Sequence, residues 1–211
     1  LSDAAKLTCG ELDTDKEGAR NVVISAIEDD KGIQCARLAA AGADLNRVSF
    51  LDLAYLDSET GEIVNEGAPS IPAHHGRIRE QLKAASAAVW IIDPLTSVIP
   101  GDLNSREDVR AALDPLTALA RKLDIAVIGV CHFNKGAGRA STKLAGSAAF
   151  RDVARSVILV ASDPDNGERV ATIDKSNYGE SAGKSYRFAI ESAEAMDEEG
   201  EPFTVPRARY L

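Results

Sequence analysis

Apolar residues in this chain fall into short runs separated by amphipathic stretches, and the rhythm changes near residue 131. Asn21-Val22-Val23-Ile24-Ser25-Ala26 reads as a strand that ends at the acidic cluster Glu28-Asp29-Asp30. Lys31 to Ala41 follows with helical spacing, offering Ile33, Ala36, Leu38 and Ala40 to a core and stopping at Gly42. Val48-Ser49-Phe50-Leu51 is the next strand, and Ser58-Glu59-Thr60-Gly61 within Tyr55 to Glu66 predicts a small exposed hairpin or loop. A helix around His74 to Ala84 leads into Ala87-Ala88-Val89-Trp90-Ile91-Ile92-Asp93, an unbroken apolar run closed by one carboxylate and then Pro94. Such a run predicts a strand covered on both faces, as in a parallel sheet. A long helix begins near Ser105, where Asp108 approximates a capping box, and Pro115 predicts a kink or a division in it. Ile125 to Cys131 is a second strand of the doubly covered kind.

Beyond residue 131 helical spacing is brief, at Ser147 to Ala154. Three strands follow, Ser156 to Ala161, Arg169 to Asp174 and Tyr186 to Ile190. Asp163-Pro164-Asp165-Asn166-Gly167 predicts a hairpin turn between the first two, and the acidic run Glu194 to Glu201 predicts a loop. Strands alternating with helices and then strands alone describe an α/β fold, a mostly parallel sheet with a C-terminal antiparallel β extension. No linker or internal repeat divides the chain, so one domain is expected.

Composition narrows the partners. The 211 residues carry a formal charge of −9, so the surface as a whole repels nucleic acid, and any contact with it must come from a local basic patch. No apolar run approaches a membrane span. Cys9, Cys35 and Cys131 form no paired motif, which points to a reducing cytoplasm and away from zinc or a disulfide framework.

Three polar groups then fall at the C-terminal ends of three parallel strands: Glu28, Asp93 and His132. The handedness of crossovers puts those ends on one edge of the sheet, where open α/β sheets bind ligands. A carboxylate for a metal ion, a carboxylate to polarise water and a neutral hydrogen-bonding group suit phosphoryl hydrolysis. The plainer alternatives are a strand stop at Asp93, a structural histidine, and helix capping by the acidic cluster, Asp29 and Asp30 being better placed to cap than Glu28. His74-His75 reads as a solvated helix start, since adjacent residues diverge on a helix.

The ordered series Ile24 to Asp30, Trp90-Ile91-Ile92-Asp93-Pro94-Leu95, Val130-Cys131-His132-Phe133-Asn134-Lys135, Gly146-Ser147 through Arg155, and Lys175-Ser176-Asn177-Tyr178-Gly179 resembles the RecA-like ATPases. Within them it is most similar to the RepA-type hexameric replicative helicases, relatives of the DnaB helicases. The resemblance implies a RecA-like fold, ATP and Mg²⁺ as cofactors, single-stranded DNA as partner, and a homo-oligomer, a hexameric ring. It makes Glu28 the glutamate that activates water, Asp93 the Walker B metal carboxylate, His132 a sensor of the γ-phosphate, and Arg155 a finger donated to a neighbouring subunit's nucleotide. Arg151 is the lesser finger candidate. Lys175, with Asn177 and Gly179, would approach the same phosphates. The loop from Asn134 to Lys143 would contact single-stranded DNA through Lys135, Arg139 and Lys143. The family's Gly-x-x-x-x-Gly-Lys-Ser/Thr loop has no match, and Ala182-Gly183-Lys184-Ser185 lacks the earlier glycine. That loop and a central strand are expected ahead of a helix spanning Leu1 to Leu7 and closed by Gly10. A RecA-like repair or regulatory ATPase, and a scaffold that does not hydrolyse, are the competing readings.

Overall fold

The structure is a computed structural model that describes residues 1–12, 18–56, 63–67, 69–132, 148–163, 168–196 and 200–211, with backbone only for 53–56 and 63–67. Its first half is a parallel sheet with helices on both faces. The strands are β1 (Asn21–Ala26), β2 (Val48–Phe50), β5 (Ala87–Asp93) and β6 (Ala126–Gly129), in the order β2-β1-β5-β6. One face buries Val22 and Ile24 against Ala4 of α1 (Ser2–Cys9) and Leu38 of α2 (Lys31–Ala40). The other buries Val23, Trp90 and Ile92 against Ile78 of α3 (His75–Ala84) and Val109, Leu113 and Leu116 of α4 (Arg106–Leu123).

Covering both faces explains the absence of alternation in β1 and β5. It also forces the polar atoms inside to pair. Trp90 Nε1 donates to Ser25 Oγ at 3.1 Å, and Ser25 Oγ donates to the Leu51 carbonyl at 3.1 Å, a buried chain that runs across the sheet.

Two expectations are corrected here. Of the two expected effects of Pro115, division does not occur, since α4 is one helix of 18 residues. Buried side chains on both sides of the proline, Val109, Ala112 and Leu113 before it and Leu116 and Leu119 after it, keep the helix continuous where one backbone bond is lost. Nor is β6 covered on both faces and edges. Among the described residues it pairs with β5 alone, and Ile128 is 50% exposed.

Gly129 closes this strand because Leu95 packs onto it. A Cβ there would lie 2.5 Å from Leu95 Cδ2 and 3.0 Å from Leu95 Cβ. The predicted excursion after β2 is a two-stranded antiparallel ribbon, β3 (Leu53–Leu56) with β4 (Ile63–Gly67).

The second half is a separate antiparallel sheet, β10-β9-β8-β7, reached through α5 (Ala149–Val153). Its strands are β7 (Ser156–Ser162), β8 (Arg169–Ser176), β9 (Ser185–Met196) and β10 (Pro202–Tyr210). The expected acidic loop is shorter than its charge suggested, because Glu194 and Met196 belong to β9. The hairpin β9–β10 leans on the parallel half: Ala195 and Val205 pack against Ala36 of α2, and Arg207 donates to the Ala40 carbonyl. Tyr210 donates its hydroxyl to Asp3, and Ser2 Oγ donates to the Ala208 carbonyl, fixing α1 to the outermost strand.

Candidate functional site

Parallel register brings the sequence-predicted polar groups together. Ala26 of β1 lies opposite Asp93 of β5, and Ile27 N–H donates to the Asp93 carbonyl at 2.9 Å, so the two strands end level. Beyond β6 the pairing runs on irregularly, with Val130 N–H donating to the Ile92 carbonyl at 2.9 Å and Leu95 N–H to the Val130 carbonyl at 2.8 Å. That places His132 across from Glu28, with Nε2 3.7 Å from Glu28 Oε2. A cavity of about 200 Å³ is lined by Glu28, Asp29, Gln34, Asp93 and His132.

The acidic cluster divides its labour. Asp30 is the N-cap of α2, its side chain accepting from Gly32 N–H at 2.7 Å. Asp29 is held by Arg37 and by Gln34 Nε2 at 2.9 Å. Glu28 is left facing the cavity. Burial pushes the Asp93 carboxyl above its ordinary pKa, the nearby Asp29 and Glu28 carboxylates reinforce this, and His132 opposes it.

Gln34 was not singled out by the sequence, where it reads as one polar residue of an amphipathic helix. It is 4% exposed, and its Oε1 is buried without a hydrogen-bond partner. An orphaned acceptor beside two carboxylates suits the water shell of a hard cation. Among the described residues no group of three or more His, Cys, Asp or Glu side chains could hold a metal by itself. Mg²⁺ bound through one or two carboxylates, with the remaining ligands from water and phosphate, is compatible with that. None of the described residues lining the cavity is a lysine or arginine.

The other candidates lie at the α5–β7 junction. Arg151 is engaged by Asp174, Nε to Oδ2 at 2.8 Å. Lys175 Nζ donates to the Arg151 and Asp152 carbonyls at 2.8 and 3.1 Å, so it caps the end of α5. Asn177 N–H donates to the Arg155 carbonyl at 2.9 Å, and Gly179 takes φ 151° in the turn that follows. Together these contacts fix the backbone that carries Arg155, whose side chain is exposed. Arg155 lines a different cleft from Asp93. Lys135, Arg139 and Lys143 lie outside the described residues.

The sequence pattern of the AAA domain family matches residues 3–138, well over half of the chain. The chain belongs to the AAA domain family. Among solved structures this AAA domain is similar to a KaiC-like protein from the hyperthermophilic archaeon Pyrococcus horikoshii OT3. The two share 17% identity with a TM-score of 0.57, over 89% of this chain and 76% of that one. At that identity the likeness concerns the fold, which is RecA-like α/β. Comparison with curated protein sequences returns no match. The chain is thus an AAA domain by family with a RecA-like fold, in a class of ATPases that generally binds ATP with Mg²⁺. No helix among its described residues is long and apolar enough to cross a membrane.

Proposed function

We propose that this AAA domain is the ATP-hydrolysing motor of a ring of the RepA/DnaB helicase type, acting on single-stranded DNA. The observation that carries the reading is the cavity in which Asp93, Glu28 and His132 meet at the ends of adjacent parallel strands. Asp93 would hold Mg²⁺ with Gln34 Oε1 accepting from its water shell, and the bound cation would offset phosphate charge. Glu28 would take a proton from water, and the His132 imidazole, 3.7 Å from it, would couple it to the segment that continues into the basic loop. Both sit on strand ends fixed by the same sheet, so the groups are pre-positioned.

Arg155, remote from the Asp93 cavity and exposed, is suited to act on the nucleotide of a second copy. Such fingers contribute roughly 10³–10⁵ in rate in related phosphoryl transfer. In the full chain, Asp93→Asn and Arg155→Ala should each abolish turnover, and mixing the two variants should restore part of it. Single-stranded DNA should stimulate hydrolysis. Turnover indifferent to DNA would remove the helicase reading and leave an ATPase of another kind, whereas near-normal turnover in either variant would remove that residue's role.

A further inference from the structure

Five arginines surround the junction of α4 and α5, and three of them are taken. Arg106 pairs with Asp152 at 3.0 Å, Arg110 holds both oxygens of Asp114 at 3.0 and 3.1 Å, and Arg151 is engaged by Asp174. Arg121 and Arg155 have no side-chain hydrogen bond or ion pair with any described residue, although both are exposed. They line one cleft of about 360 Å³, walled by Arg110, Asp114, Thr117 and Arg121 along a stripe of α4 and by Asp152 and Arg155 on the other side.

The charges in this place do not cancel. Among the lining residues three guanidinium groups (Arg110, Arg121 and Arg155) meet two carboxylates (Asp114 and Asp152), an excess of one positive charge in a chain of formal charge −9. The Thr117 hydroxyl is spent on the Leu113 carbonyl at 2.9 Å, so the free donors of the cleft are the two unpaired forks. Guanidinium forks recognise phosphate oxygens in two-point fashion, and carboxylates already bound by arginine repel an incoming anion little. The Asp93 cavity shows the opposite balance, with three carboxylates and no lysine or arginine among the described residues lining it.

We infer that Arg121 joins Arg155 in a two-arginine subsite that contacts the terminal phosphates of a nucleotide held in the Asp93 cavity of a second copy of this chain. The inference rests on the reading of that cavity as a nucleotide site. It makes Arg121, which lies in no recognised motif, a second cation supplied across the subunit boundary.

In the full chain, Arg121→Ala should lower kcat for ATP about tenfold to a hundredfold, the range for one charge-assisted hydrogen bond, with KM changed far less. Arg121→Lys should recover part of the loss, and Arg77→Ala on α3 should leave kcat unchanged. Mixing Arg121→Ala with Asp93→Asn subunits should restore turnover, since each assembly then contains intact composite sites. Independently of turnover, a non-hydrolysable ATP analogue should promote self-association of the wild type in sedimentation experiments, and much less that of Arg121→Ala or Arg155→Ala. Wild-type kcat and wild-type association in Arg121→Ala, with Asp93→Asn inactive, would overturn the subsite alone. An active Asp93→Asn would overturn the nucleotide reading beneath it.

Discussion

Ser25 offers a measurement of what holds the two site-bearing strands in register. It is 1% exposed, and it receives Trp90 Nε1 while donating to the Leu51 carbonyl, so it links β5 to β1 and to the segment after β2. Ser25→Ala deletes the link without removing bulk. It leaves the Trp90 N–H without a partner in a fully buried position, at a cost of about 1–3 kcal/mol, and leaves the Leu51 carbonyl short of a donor for about 1 kcal/mol more. A loss of about 2–4 kcal/mol corresponds to a fall in Tm of roughly 4–16 °C for a protein of this size. Trp90 is the only tryptophan in the chain, so its replacement removes the fluorescence signal, and unfolding is followed by far-UV circular dichroism in every protein of the set. Urea titrations of the wild type, Ser25→Ala, Trp90→Phe and the double variant complete a cycle. The double variant should be less damaged than the sum of the singles, because the second substitution removes a donor already orphaned by the first. Additive losses, or a Ser25→Ala stability within 0.5 kcal/mol of wild type, would show that the buried chain contributes nothing specific.

Two further substitutions separate stability from chemistry. Because burial raises the folded-state pKa of Asp93, its stabilising contribution is complete below the unfolded pKa and is lost as pH rises through the folded value. Asp93→Asn should therefore gain in Tm relative to the wild type as pH increases from the acid range to neutrality, while its turnover is abolished. Equal Tm values at neutral pH would contradict the sign of that shift. Gly129→Ala drives a methyl into Leu95 at the end of β6 and should cost about 1–3 kcal/mol, read from denaturant midpoints, and a change within 0.5 kcal/mol would mean that Leu95 repacks freely.

The parallel half was legible because its signals are local. β1 begins and ends where its apolar run does, Asp30 caps α2 as a carboxylate before a helix should, and β5 stops at Asp93. β10 accommodates Pro202 and Pro206 because an edge strand needs only one row of amide donors. β6 looked like β5 in composition, and composition cannot say on which side a neighbour is missing. The roles at the α5–β7 junction were hidden for a different reason. Nothing near Arg151 in the chain announces Asp174, nothing near Lys175 announces two helix carbonyls, and Arg121 reads as an ordinary residue on the polar side of α4. Contacts between residues 23 and 24 positions apart decide which cations remain free.

The attachment of α1 to β10 has a kinetic meaning. The Tyr210–Asp3 and Ser2–Ala208 contacts join residues 207 and 206 positions apart, while α1 otherwise touches β1 and α2, which are close in sequence. Closing so large a loop carries an entropic penalty and depends on residues that leave the ribosome about 200 positions later. Helix α1 is therefore an element whose final anchoring comes late, and a nascent chain acquires its parallel sheet and its buried core before its first helix is fastened to its last strand.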